Sequence, residues 1–195
     1  MKWNNCDIEV ETSIKTRKQL RAWFKKNAQN ATQLWLPVKI GQPDNKTLFY
    51  IDTIEEALCF GWIDSINKRH EKYGHIHRLT PRKKNSHWTE LNKERCRRLI
   101  KLKLMTEQGR KVLPDLNEKF QISPTIEKLL KSDKLLAKNF FSFPKLYQKI
   151  RIDSIQRYEF SHPDIFKTAL NNFIKKTKSN KMYGMWNDYN RLSKY

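Results

Sequence analysis

The stretch Thr53-Ile54-Glu55-Glu56-Ala57-Leu58-Cys59-Phe60-Gly61-Trp62-Ile63-Asp64-Ser65-Ile66-Asn67-Lys68 changes periodicity halfway along, and that change decides the fold class. Its first four residues satisfy the capping-box pattern, in which the Thr side chain takes the N3 amide and the Glu side chain reaches back. A short helix is therefore expected to run to Phe60, where Gly61 supplies the left-handed residue that ends it. From Trp62 the pattern alternates, placing Trp62, Asp64 and Ile66 on one strand face and Ile63, Ser65 and Asn67 on the other. After Tyr73-Gly74, residues 75–80 read as the returning strand, stopped by Pro81.

Outward from this core the same signals repeat. Residues 13–28 read as a helix whose stripe is Leu20, Trp23 and Phe24, with Lys18, Arg21, Lys25 and Lys26 outside. Residues 34–40 are strand-like and end in turn residues, and residues 47–51 are expected to return beside them as a hairpin. From Ser86, a candidate N-cap, a long helix is expected with Trp88, Leu91, Leu99 and Leu102 on one arc and Lys93, Arg97, Arg98 and Lys101 opposite. Residues 106–112 start a further turn, closed by Pro114.

Four helices follow, over residues 124–130, 132–141, 144–156 and 163–176, three of them with Pro124, Pro144 or Pro163 near the start, the position proline tolerates best. The tail retains Met182, Tyr183, Met185, Trp186 and Tyr189, which suits docking. The reading is α+β: a small antiparallel sheet packed by helices, residues 1–118, followed by a Lys-rich α-helical C-terminal region, residues 119–195.

Composition narrows the partners. The 195 residues carry 40 Lys plus Arg against 20 Asp plus Glu, a formal net charge of +20, which attracts nucleic acid, an anionic membrane surface or a phosphate- or carboxylate-bearing ligand. With 12% aromatic residues and long periodic apolar stretches the chain is expected to fold. No run approaches the ~18 consecutive apolar residues of a transmembrane helix, and the first 20 residues lack a signal-like apolar segment, so a cytoplasmic location is expected. Cys6, Cys59 and Cys96 are widely spaced, without a CxxC pair, and read as reduced thiols.

Two segments are more specific than composition: Glu56 to Asp64 as quoted above, and Arg78-Leu79-Thr80-Pro81-Arg82-Lys83-Lys84-Asn85-Ser86-His87-Trp88 followed by Asn92-Lys93-Glu94-Arg95. Their order and spacing, with Leu20 to Trp23, Leu34 to Leu36 and Met105-Thr106-Glu107-Gln108-Gly109, resemble the YdeI/OmpD-associated family, also called bacteriocin-protection proteins. The resemblance covers roughly the first two thirds of the chain. His77-Arg78-Leu79 stands where that family more often has Gln-Arg-Phe, Ser86-His87-Trp88 where it has Ser-Asn-Trp, and the C-terminal third departs further. The resemblance implies a cytoplasmic bacterial protein tied to envelope stress and bacteriocin resistance, and it brings no reaction, cofactor or ligand.

The residue pattern offers four kinds of site. Glu56, Trp62, Asp64, Arg78, Arg82 and Trp88 would converge at one cleft if the two strands pair, where guanidinium pairs bind an anionic small molecule or protein segment and indoles stack on it. The alternative is that the tryptophans are core and Asp64 neutralises an arginine. Lys83, Lys84, Lys93, Arg97, Arg98 and Lys101, with Lys175, Lys176, Lys178 and Lys181, suit nucleic-acid phosphates, although no recognition motif accompanies them. His70, His75, His77 and His87 are close in sequence, but no third ligand has the spacing of a zinc site, so no metal is expected. Cys59 is neither at a helix N-terminus nor beside a cation, which argues for a core thiol over a nucleophile. P-loop, GxSxG, GxGxxG and HExxH motifs are absent, no cofactor is expected, and an enzyme would have to use Glu56 or Asp64 at an unrecognised carboxylate/arginine site.

Overall fold

The computed structural model describes residues 8–44, 46–83 and 86–195. The fold is α+β, and the chain divides into two compact units, Met1–His87 with Arg95–Pro114, and Trp88–Glu94 with Asp115–Tyr195. Elements of the first unit are α1 (Arg17–Asn27), β1 (Leu34–Pro37), α2 (Tyr50–Cys59), β2 (Trp62–His70), β3 (Gly74–Pro81) and α4 (Glu107–Arg110); α3 (Glu90–Lys101) gives its first turn to the second unit and the rest to the first.

The sheet is antiparallel in the order β1-β3-β2. β2 and β3 form the expected hairpin, whereas β1 pairs with β3, Leu34 opposite Leu79 and Leu36 opposite His77. Residues 47–51 form no returning strand; a single bridge joins Lys39 to Phe49 before α2 begins. The helix therefore starts four residues earlier than the capping box suggested, with Phe49 and not Thr53 as its N-cap. Asp52 accepts a hydrogen bond from the Phe49 amide at 3.3 Å, and Thr53 sits inside the helix, its hydroxyl donating back to the Phe49 carbonyl at 3.1 Å.

Gly61 ends α2 as expected, at φ +75. The next close approach belongs to Gly109 on α4: a Cβ there would lie 2.3 Å from the Cys59 carbonyl oxygen and 2.6 Å from Met105 Sδ. Thr106 caps α4 by accepting from the Gly109 amide while its hydroxyl donates to the same Cys59 carbonyl at 2.5 Å. The core of this unit stacks Phe24 on Phe60 at 5.2 Å between ring centroids, with Trp62 edge-on to Phe24 at 5.4 Å and to Trp23 at 5.8 Å.

In the second unit, α5 (Pro124–Ser132), α6 (Lys134–Ser142), α7 (Lys145–Gln156) and α8 (Pro163–Lys178) pack around Ile126, Leu130, Leu136, Phe140, Ile152, Ile155 and Phe173. Pro124 and Pro163 occupy the first helical turns. The tail docks: Leu192 and Asp188 are buried and Trp186 packs edge-on to Tyr147. The first turn of α3 belongs here because its caps do. Thr89, not Ser86, accepts from the Asn92 amide, and Asp153 of α7 accepts from the Glu90 amide at 3.1 Å.

Candidate functional site

Helix α2 is buried on every side from Ile51 to Cys59, so its three acids cannot turn to solvent. An unpaired buried carboxylate would be very costly, and the neighbouring helices supply arginines. Arg17 and Arg21 are four residues apart on one face of α1, and Arg98 comes from α3. Glu55 accepts from Arg17 Nη1 at 2.5 Å and Arg98 Nη1 at 2.6 Å; Glu56 accepts from Arg17 Nε at 2.7 Å and Arg21 Nη1 at 2.8 Å. Asp52 lies 3.6 Å from Arg17. Arg21 also donates to the Leu104 carbonyl at 2.6 Å. Burial pulls the Arg17 guanidinium down, but Glu55 and Glu56 outweigh it and hold it above the ordinary arginine value. Three carboxylates meet three guanidinium groups, a neutral cluster with little capacity left for an outside anion. Burial, with Glu56 adding to it, pushes the Cys59 thiol up to about 12, which leaves it inert as a nucleophile.

Of the residues expected to form a cleft, Glu56, Trp62, Asp64, Arg78, Arg82 and Trp88, the five that belong to the first unit do not converge there. Glu56 is 1% exposed and held by two arginines. Trp62 is equally buried, its indole N–H donating to the Ala28 carbonyl at 3.2 Å, which is the core reading. Asp64 pairs in register with Leu79, whereas Arg78 pairs with Ile66 and Trp35 and so projects from the opposite face, where its Nε donates to Gln33 at 2.9 Å. The cause is a register shift between Asp64 and Ile66 that leaves Ser65 as an extra residue and takes Ile66 off the face of Trp62 and Asp64. Arg82 is 7% exposed and donates to Ser86 Oγ and the His87 carbonyl, both at 3.1 Å. Trp88 belongs to the second unit.

Asp64 instead accepts from the Tyr50 hydroxyl at 2.9 Å, and the Tyr50 ring packs on His77 at 4.8 Å. His77 is buried and its Nε2 has no hydrogen-bond partner among the described residues. Burial lowers its pKa, more strongly than the nearby Asp64 charge raises it.

The expected cationic arc of α3 is also redistributed. Lys93 is buried between Glu90 at 2.9 Å and Glu118 at 3.1 Å, and Arg98 is spent on Glu55. Cys96 and Leu99 are fully buried while Leu102 is exposed. Lys83 and Lys101 face solvent, Arg97 is half-buried, and Lys84 lies outside the described residues. Lys175 and Lys181 are exposed, Lys176 is half-buried, and Lys178 pairs with Asp133 at 2.6 Å.

A different cationic face emerges on α1. Its arginines turn inward, whereas Lys15 just before it and Lys18, Lys25 and Lys26 along it are exposed, with no acid paired to them among the described residues. This partition runs through the described residues: Asp52, Glu55, Glu56, Glu90, Asp153 and Asp188 are buried, yet Lys93 is the single buried lysine. The α2 acids and Asp153 take arginines, buried Glu90 takes Lys93 and Lys149, and most other lysines are left outside.

A cavity of about 440 Å3 lies elsewhere in the first unit, bordered by Glu9, Glu11, Ser13, Trp23, Gln33 and Trp35. None of the expected site residues lines it, and the one signal in the sequence was a pair of acids in a basic chain. Glu11 is already engaged, accepting from the Ser13 hydroxyl at 2.7 Å and amide at 2.8 Å, which lowers its pKa, and the Lys68 ammonium lies 5.8 Å from the Trp35 ring.

A family model described as a domain of unknown function, DUF8412, matches residues 12–112, which is 101 of the 195 residues. No curated protein and no solved structure matches the chain.

Proposed function

The chain belongs to the DUF8412 family, a domain of unknown function, and because that membership brings no activity with it, we propose from the geometry that this is a non-enzymatic protein binding the phosphate backbone of nucleic acid without reading its sequence. The observation that carries the reading is the partition of charge in the first unit: guanidinium groups neutralise the buried acids of α2, and the lysines of α1 occupy the surface. Exposed lysines are strongly hydrated point charges that track a polyanion without fixed geometry, whereas a specific anion cleft would present its arginines. The leading expectation from the sequence, a Trp/Arg/acid cleft for an anionic small molecule or protein segment, loses support in the first unit, where Trp62 is sealed in the core and Arg78 and Asp64 occupy opposite faces. Proton transfer by Glu56 or Asp64 loses support as well, since both Glu56 oxygens are occupied by arginine and Asp64 is held by Tyr50.

The motif resemblance to YdeI/OmpD-associated proteins supports a cytoplasmic setting and a role in bacteriocin protection or envelope stress. Among the described residues no helix is long and apolar enough to cross a membrane.

The test is salt dependence. Four lysines of the α1 face, Lys15, Lys18, Lys25 and Lys26, neutralising four phosphates give a log–log slope of about −3.6 on duplex DNA, so binding weakens about 150-fold between roughly 50 and 200 mM salt. Fluorescence anisotropy should show that loss for unrelated duplexes alike, and changing the four lysines to Gln should flatten the slope towards zero. Binding that ignores salt, or a slope untouched by the fourfold variant, would overturn the proposal.

A further inference from the structure

Arg17, Arg21, Arg98 and Arg157 each have a carboxylate oxygen within 2.8 Å. Arg151 on α7 has no acidic partner among the described residues. Its guanidinium carbon lies 3.9 Å from the centroid of the Tyr183 ring and 5.6 Å from that of Tyr147. Nη1 donates to Ser154 Oγ at 3.2 Å, Nη2 donates to the Tyr183 carbonyl, and Nε is buried without a partner. Burial raises the pKa of both Tyr147 and Tyr183, so neither phenol supplies a negative charge. The half-buried guanidinium thus touches only neutral groups, and its buried Nε–H is left unsatisfied, an arrangement that an anion would complete.

The surroundings hold that charge in place. Gly184 has φ +73, and a Cβ there would lie 2.5 Å from Arg151 Nη2, so the tail backbone approaches the guanidinium as only glycine permits. Arg151 borders a cavity of about 280 Å3, a volume suited to a small molecule, that is also lined by Asp153, Ser154, Arg157, Tyr158 and Met185. Arg157 donates to Asp153 at 2.7 Å, and the same Asp153 oxygen accepts from the Glu90 amide. Asp153 is therefore spent on Arg157, and the lining keeps one net positive charge, that of Arg151, beside the aromatic and thioether walls of Tyr158 and Met185.

We propose that this cavity in the helical unit binds the oxyanion, phosphate or carboxylate, of a small organic molecule, with Arg151 as its charge partner and Ser154 and Arg157 beside it. The residues are distinct from the lysines that carry the nucleic-acid reading and lie outside the stretch matched by the family model.

Calorimetric titration of the full chain with phenyl phosphate and with benzoate tests it, the two probes distinguishing a phosphate from a carboxylate ligand. Saturable binding of either at millimolar concentration is expected, weakened at least about tenfold in Arg151→Gln, the loss of one charge-assisted contact. Because Arg151 also packs the tail, Met185→Trp is the second variant: Met185 is 51% exposed at the cavity, so the larger ring blocks entry while leaving the core and the thermal midpoint unchanged. The fourfold lysine-to-Gln variant of the α1 face should bind the probes as well as the parent. No saturable binding of either probe, binding that survives Met185→Trp, or binding lost with the α1 lysines would each refute the site.

Discussion

Replacing Glu55 by Gln tests whether the buried acid–arginine cluster holds the first unit together. Glu55 is fully buried and accepts from Arg17 at 2.5 Å and from Arg98 at 2.6 Å. The amide keeps the shape but offers one oxygen, so its NH2 faces a guanidinium and the cluster gains an uncompensated positive charge. Breaking a buried pair by removing one partner costs about 3–5 kcal/mol. The arginine side chains are 29% and 15% exposed, so water screens part of the loss and the low end, about 3 kcal/mol, applies. With a urea m-value of about 2 kcal/mol/M that is a fall in unfolding midpoint of about 1.5 M, read by circular dichroism with m unchanged. Glu107→Gln is the control: its side chain is 88% exposed and 3.6 Å from Arg110, so less than about 0.5 kcal/mol is expected. Equal shifts for the two variants would refute the reasoning, since burial would then confer nothing on the Glu55 pairs. Adding Arg98→Met to Glu55→Gln should cost less than the sum of the single changes.

Gly109→Ala should destabilise by about 1–3 kcal/mol in thermal unfolding, because the added carbon meets the Cys59 backbone, which cannot yield as a side-chain tip would. Gly74→Ala, at φ +70 with nothing within 4 Å, should cost only the left-handed penalty of about 1–2 kcal/mol, and the reading fails if that ring of open space is the worse site. His77 has a folded pKa below its unfolded value, so the unfolded chain takes the proton first and stability falls as pH drops below about 6.5. His77→Phe should flatten the stability curve over that window, and an unchanged slope would place the effect elsewhere.

Much of the frame was legible because its signals are local. Gly61, the prolines at helix starts and the alternation from Trp62 each act within a few residues. Thr53 shows where locality misleads: its capping pattern also fits a helix interior, and α2, buried on all sides, has no polar stripe to mark where it begins. The pairing of β1 with β3 depends on chain far downstream, so the nearer residues 47–51 looked like the natural partner. The site was harder still. A 3.6-residue period identifies Lys93 and Arg98 as polar positions, but acids it does not point to, Glu90 with Glu118 for Lys93 and Glu55 for Arg98, hold these two cations while Lys101 faces solvent. Arg78 and Asp64 were separated by one extra residue, Ser65, which alternation alone does not reveal.

The sorting of arginine to the interior and lysine to the surface makes the two sets of cations chemically addressable apart from each other. Acetylation reacts with amines and leaves guanidinium groups alone, so it erases the outer charge residue by residue while Arg17, Arg21 and Arg98 keep their carboxylates. Lys93, enclosed by Glu90 and Glu118, is shielded from the same reagent. The outer charge on which the proposed binding depends can thus be graded continuously, by an enzyme or by acetic anhydride, while the arginine pairs of the buried α2 acids are not reached.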